Sequence, residues 1–254
     1  MRLALARAAR GDDVLALRRR DVAEDRGIRH LRVDLATGEG FDRLPRRPDA
    51  LVFCAAPDER SEAAYRALFV DGLRRLLDRL QLGRLLFVSS TAVYAQDAGE
   101  WVDEASLAQA TSFNGRALLD AERELAGHEW AASLRLSGLV GPGRDWLQRR
   151  ARAGTANAPR WSNRIHVDDA AAALSTLLDA PGLQPLYLGS DDQPVRECDL
   201  QDWLRQNEQL APVAHLDGPD SGRRVRNQRL RATGWSPGHA DFRAAYAKLF
   251  APGV

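Results

Sequence analysis

The chain has 254 residues, 44% hydrophobic and 28% charged, with a net charge of +1. That is the make-up of an ordinary soluble globular protein long enough for one sizeable core. It excludes a global electrostatic field that would draw the protein to nucleic acid or a membrane surface. No apolar run reaches the roughly 20 residues that span a bilayer, and Cys54 and Cys198 suggest no disulfide framework. The N-terminus turns charged too early for a signal peptide, so a cytoplasmic setting is expected. Lys248 is the one lysine in the chain, which removes lysine-dependent mechanisms from everything before it.

In chain order, Leu3 to Ala9 read as a helix closed by Gly11, then Val14 to Leu17 and His30 to Asp34 as short strands. Residues 49–56 form a nearly continuous apolar run, as expected of a strand covered on both faces. An amphipathic stretch spans Ser61 to Leu82, with Leu68, Leu73, Leu76, Leu77 and Leu80 along one side. Strands follow at Arg84 to Ser90, Ala131 to Leu136 and Leu186 to Leu188; helices at Gly115 to Leu125, Val167 to Leu178 and from Asp199. Asp168 and Asp169 fall in a first helical turn, where the macrodipole favours acids. Pro212 to Arg224 reads as a long loop. Strands alternating with helices at this spacing predict an α/β fold with a doubly wound parallel sheet.

In such sheets ligands bind beyond the carboxyl ends of the strands. Those ends carry Arg18-Arg-Arg20, Asp34-Leu35, Ala55-Ala-Pro57 and Ser89-Ser-Thr91. The arginines could accommodate a ribose 2′-phosphate or form a solvated basic turn. Asp34 could accept from an adenine amino group or cap a turn, and Ala55-Ala56 would allow close approach of a cofactor or simply pack. Ser89-Ser-Thr-Ala-Val-Tyr94 suits hydrogen bonding to a carbonyl or alcohol, unless its serines only cap the strand end. The five histidines lack metal-ligand spacing, and no metal site is expected. Arg223 to Arg231 is a basic run without interleaved aromatics, read as a solvated face and not as a nucleic-acid site.

The ordered set Val52-Phe-Cys-Ala-Ala-Pro57, Phe87 to Tyr94, Trp101-Val-Asp-Glu104, Arg135 to Arg144, Asn163 to Asp169 and Asn227 to Trp235 resembles the extended or atypical short-chain dehydrogenases/reductases, the NAD-dependent epimerase/dehydratase group. The resemblance implies a Rossmann-like nucleotide-binding part over 1–140. It implies a mixed part over 141–254 that completes the sheet (about 164–190) and forms a small C-terminal substrate lobe. It implies NADP or NAD as cofactor, held by Arg18, Arg19, Asp34, Leu35, Ala55, Ala56, Pro57, Ser89 and Arg116. Ser90 and Tyr94 would be catalytic, and Thr91, Glu104, Arg144 and His166 would face a small-molecule substrate. A homodimer through the helical stretches near 61–82 and 115–125 is also implied.

Two features depart from the family pattern. The opening strand and glycine-rich turn are missing, since Met1 already lies in the first helix and Gly38-Glu-Gly40 follows the wrong strand. A misplaced start, short by roughly a dozen residues, is the expectation that follows. The Tyr-x-x-x-Lys pair is also gone: counting back from Glu122, its positions fall on Asn114 and Leu118, and a register one residue earlier gives Phe113 and Ala117. The competing expectation is a non-catalytic dinucleotide-binding sensor or scaffold.

Overall fold

A computed structural model describes residues 1–20, 26–155 and 158–247; Lys248 lies outside them. In chain order the elements are α1 (Arg2–Ala8), β1 (Val14–Arg18), β2 (Ile28–Arg32), β3 (Ala50–Phe53), α2 (Glu62–Arg66), α3 (Gly72–Arg79), β4 (Arg84–Ser90), β5 (Ala98–Val102), α4 (Phe113–Glu124), β6 (Ala131–Leu136), β7 (Gly138–Val140), α5 (Trp146–Ala153), β8 (Arg160–Ser162), β9 (Arg164–His166), α6 (Val167–Asp179), β10 (Leu186–Gly189), β11 (Val195–Arg196), α7 (Glu197–Asn207), β12 (Ser221–Val225), α8 (Gln228–Arg231) and α9 (Phe242–Tyr246). The fold is the expected Rossmann-like α/β class. None of the described helices is long and apolar enough to cross a membrane.

The chain makes two compact units that interleave in sequence. Unit 1 takes Met1–Tyr94, Ala108–Arg135 and Leu174–Leu186; unit 2 takes the remainder. In unit 1, β1 pairs with β2 in parallel, Val14 opposite Ile28, and β3 pairs with β4 in parallel, Ala50 opposite Arg84. β6 lies on the other side of β4, and the β1–β2 pair is a separate hydrogen-bonded sheet. Leu85, Leu86 and Phe87 are fully buried at the middle of β4, as an apolar run in a central strand should be. Phe87 meets Phe53 and Phe69 at ring separations of 5.4 and 6.1 Å. The amphipathic stretch expected over Ser61 to Leu82 is helical from α2 to α3 through a π turn, Ala67–Asp71. Ser61 and Ser112 start α2 and α4, each hydroxyl accepting the backbone N–H three residues on, at 3.2 and 3.3 Å.

In unit 2 a four-stranded sheet runs β11-β8-β12-β5, and β7 pairs with β9. Here the expected loop over 212–224 is corrected. Ser221–Val225 is a strand, parallel to both β5 and β8, and its polar sequence concealed it. The basic run is corrected as well. Arg224 stands 5.0 Å from the ring centres of both Trp101 and Trp161; Arg226 adds to Trp101 and Arg196 to Trp161. The aromatics absent from the local sequence arrive from β5 and β8. The arginine–tryptophan stack ties all four strands together. The core of this unit joins Val140, Leu147, Leu200, Leu204, Phe242 and Tyr246.

Candidate functional site

Within unit 1, the ends of β1, β2 and β3 bring charged and small residues together. Half-buried Arg18 donates from Nε to His30 Nδ1 at 3.2 Å. Exposed Arg19 forms a two-pronged ion pair with Asp58, just past Pro57. That bond, with the nearby charge of Arg20, holds the Asp58 carboxyl below the usual carboxylate range. Asp58 raises the Arg19 pKa in turn, and Asp34 contributes from the end of β2. Ala55 and Pro57 are half-buried and Ala56 is exposed, so the chain after β3 offers a low ledge beside the guanidinium groups.

Asp34 takes the turn role. Its carboxylate accepts from the backbone of Ala36 at 2.8 Å and Thr37 at 3.3 Å. Leu35 is fixed through its carbonyl, which receives Arg75 Nη1 at 3.4 Å and sits so close to Gly72 that a Cβ there would approach to 2.7 Å. Gly38 and Gly40 both take positive φ in the turn after β2, as their spacing implied. These residues fit the adenosine end of a dinucleotide: a guanidinium pair for a phosphate and a small-residue ledge for close approach. Among the described residues of unit 1, no glycine-rich turn follows β1.

The tip of β4 leads into a buried polar cluster. Ser89 Oγ donates to Glu122 Oε1 at 2.6 Å. Arg135, on β6, clasps the same carboxylate through Nε and Nη2 and donates from Nη1 to the Tyr94 hydroxyl at 2.8 Å. Burial presses the Arg135 guanidinium toward the neutral form, but the hydrogen bonds and charge of Glu122 outweigh it and raise its pKa. Tyr94 is 2% exposed, so its hydroxyl is held in the interior. Ser90 accepts from Ala92 N at 3.1 Å, the capping arrangement, and leaves its own proton to be donated. Thr91 is half-buried beside it. Arg116 is exposed, donates to the Thr111 carbonyl at 2.8 Å and lies 3.7 Å from Glu62. Leu118, which the count back from Glu122 put at the lysine position, is buried.

In unit 2, Arg144 is exposed, on the turn closed by its N–H to the Gly141 carbonyl at 3.1 Å. His166 is packed under the same turn, its Nε2 so near Gly141 that a Cβ there would lie 2.8 Å away. The Gly141–Arg144 turn therefore carries Arg144 and covers His166. Glu104 is turned inward, accepting from Leu188 N at 3.1 Å, and burial raises its pKa. Sequence reasoning missed two further residues here. His239 stacks on His166 at 3.9 Å, and its Nδ1 lies 3.0 Å from Asp169, which also accepts the backbone N–H groups of Gly238 and His239. Asp169 had signalled only a helix start. The Trp235-Ser-Pro-Gly-His239 turn held the cue: Trp235 Nε1 donates to the Asp169 carbonyl at 3.1 Å and anchors that turn.

No family model matches the chain. Over 138 residues it is 32% identical to protein YeeZ of Escherichia coli K12, a match that covers 52% of this chain; the chain spans about half the length of the curated relatives it matches (49%). A solved structure from Methylobacillus flagellatus, provisionally named an NAD-dependent epimerase/dehydratase, is 33% identical, with a TM-score of 0.85 over 98% of this chain and 93% of that one. The fold is also that of Bordetella bronchiseptica WbmG, solved with NAD and UDP: 15% identity, TM-score 0.77, covering 98% and 91%.

Proposed function

Because the chain belongs to the NAD-dependent epimerase/dehydratase family of atypical short-chain dehydrogenases/reductases, we propose that it binds NADP or NAD and acts on a small or nucleotide-linked hydroxyl or carbonyl compound. The observation that carries this reading is the meeting of Arg18, Arg19 and Ala55 to Pro57 at one end of the unit 1 strands. Arg18 and Arg19 would hold the adenosine ribose, and their charge favours NADP over NAD. Leu35 and the Asp34 turn would border the adenine, the Ala55 to Pro57 ledge and Ser89 would follow the cofactor, and Arg116 would meet a phosphate or ribose. The nicotinamide, when bound, supplies or accepts hydride.

The proton side of the reaction falls to Ser90, whose hydroxyl proton is free to donate, with Thr91 beside it. Tyr94 is a positioning residue held by Arg135. Arg144, His166 and Glu104 are the substrate groups of unit 2, and Glu104 also accepts from the Leu188 backbone. We place the protein in the cytoplasm, as a homodimer through the helical stretches near 61–82 and 115–125, which sedimentation would check.

A second reading, dinucleotide binding without catalysis, is supported by the buried Leu118, at the position that counting back from Glu122 gives for the family lysine. Titration with NADPH and NADH, followed by absorbance assays against nucleotide sugars and small carbonyl compounds, separates the two. Binding with turnover that Ser90→Ala abolishes supports the first. Binding without turnover supports the second, and no binding of either cofactor rejects both.

A further inference from the structure

Arg164 is wholly enclosed in unit 2, at 5% exposure. Its Nη1 donates to the Asn163 carbonyl at 2.8 Å, but Nε and Nη2 have no hydrogen-bond partner among the described residues. Those two nitrogens form the edge of a guanidinium that matches a pair of oxygens on one centre. Elsewhere in this chain the same edge is used in that way, by Arg135 on Glu122 and by Arg152 on Glu208 at 2.6 and 2.9 Å.

Other buried polar atoms of unit 2 are in the same condition. The Tyr246 hydroxyl of α9 is unpartnered, as are both amide atoms of Gln201 on α7 and Oδ1 of Asp191 after β10. The Asp191 N–H donates to the Arg164 carbonyl at 2.6 Å, and the charges of Glu197, Tyr246 and Asp191 all act on the Arg164 guanidinium. Gln201 lies one helical turn from Glu197 on the same face of α7. Burial pushes the Asp191 carboxyl up to about 8, so near neutrality it holds a proton and can donate. The Glu197 carboxylate is already paired with Arg150 at 3.1 Å. Enclosed donors of this strength need an acceptor, because an unpaired buried guanidinium is among the costliest arrangements a core can hold.

We propose that unit 2 binds a small oxyanion, a carboxylate or phosphate group, on the Nε–Nη2 edge of Arg164 with the Tyr246 hydroxyl as a further donor. The site is independent of the dinucleotide reading, since every group in it belongs to unit 2.

The test is thermal unfolding of the full chain in sodium phosphate, sulfate, acetate or chloride at matched ionic strength. A midpoint rise of about 5 °C or more, at an anion concentration about 100-fold above its Kd, is expected with an oxyanion and not with chloride. A rise with phosphate and sulfate alone identifies a phosphate-type ligand, and a rise with acetate identifies a carboxylate. Arg164→Gln should abolish the rise, but this variant could also fail to fold. Tyr246→Phe keeps the ring and its packing, and should cut the rise by at least half. Arg29→Ala, at an exposed residue of unit 1 paired with Asp13, should leave it unchanged. An equal midpoint in all four salts would mean that water alone satisfies the cluster and overturns the proposal. An undiminished rise in Tyr246→Phe would place the anion elsewhere and overturn it too.

Discussion

Arg135 holds Glu122 edge-on, with Nε 3.0 Å from one carboxylate oxygen and Nη2 2.6 Å from the other. Both side chains are almost enclosed, at 6% and 11% exposure. A buried pair of this kind gains little over a well-packed apolar pair, yet losing one partner strands the other charge. Glu122→Ala should therefore lower the unfolding free energy by about 3–5 kcal/mol in urea titrations. A loss below about 1 kcal/mol would mean the guanidinium finds water, and the closed cluster described above would be wrong.

Asp191 sets a pH dependence of stability. Burial raises its carboxyl from 3.8 to about 8 in the folded chain. Between those values the folded state binds the proton and the unfolded state does not, so stability falls as pH rises through that window and levels off above it. Asp191→Asn removes the titration. The stability of wild type relative to this variant, from urea midpoints, should fall by several kcal/mol between about pH 5 and about pH 8.5. A difference that stays constant with pH would show that Asp191 is ionised throughout.

Arg19 is predicted to favour the phosphorylated cofactor. Replacing it by alanine should weaken NADPH binding by about 10-fold in calorimetric titration while changing NADH by less than about 2-fold, since only NADPH carries the 2′-phosphate. Equal weakening of the two would assign Arg19 to bracing Asp58 alone.

Gly115 tests how tightly α4 sits on the tip of β4. A Cβ there would lie 2.7 Å from the Ala92 carbonyl and 2.8 Å from the Ala110 methyl. Gly115→Ala should cost about 1–3 kcal/mol by overpacking. Gly182 has nothing within 4 Å of its Cβ position, and Gly182→Ala should stay within about 0.5 kcal/mol of wild type. Equal stability of the two variants would show that the first turn of α4 yields.

The parts of the fold that could be read from sequence are those whose signal is local. β4 and β6 have the bounds their apolar runs indicated, because a strand covered on both faces needs no partner to declare itself. β12 could not be read this way: Ser221-Gly-Arg-Arg-Val225 becomes a strand only through parallel pairing with β5 and β8. The strand-end rule led to Arg18, Arg19 and Ala55 to Pro57, since the ends of parallel strands are set by the same apolar runs. Asp34 was seen as a ligand or a cap, and the neighbouring Ala36 and Thr37 amides make it a cap. Pairs formed across the chain were hidden. Glu122 with Arg135 joins a helix to a strand, and Asp169 with His239 spans 70 residues, so neither leaves a spacing to detect.

The β5–β12 pairing also sets a schedule for making the protein. Ala98–Val102 leaves the ribosome about 120 residues before Ser221–Val225, the strand it must pair with. At the usual ~5–20 residues per second, that is roughly 6–24 s during which β5 has been made and β12 has not. Through that interval Trp101 stands on a strand whose pairing edge is open.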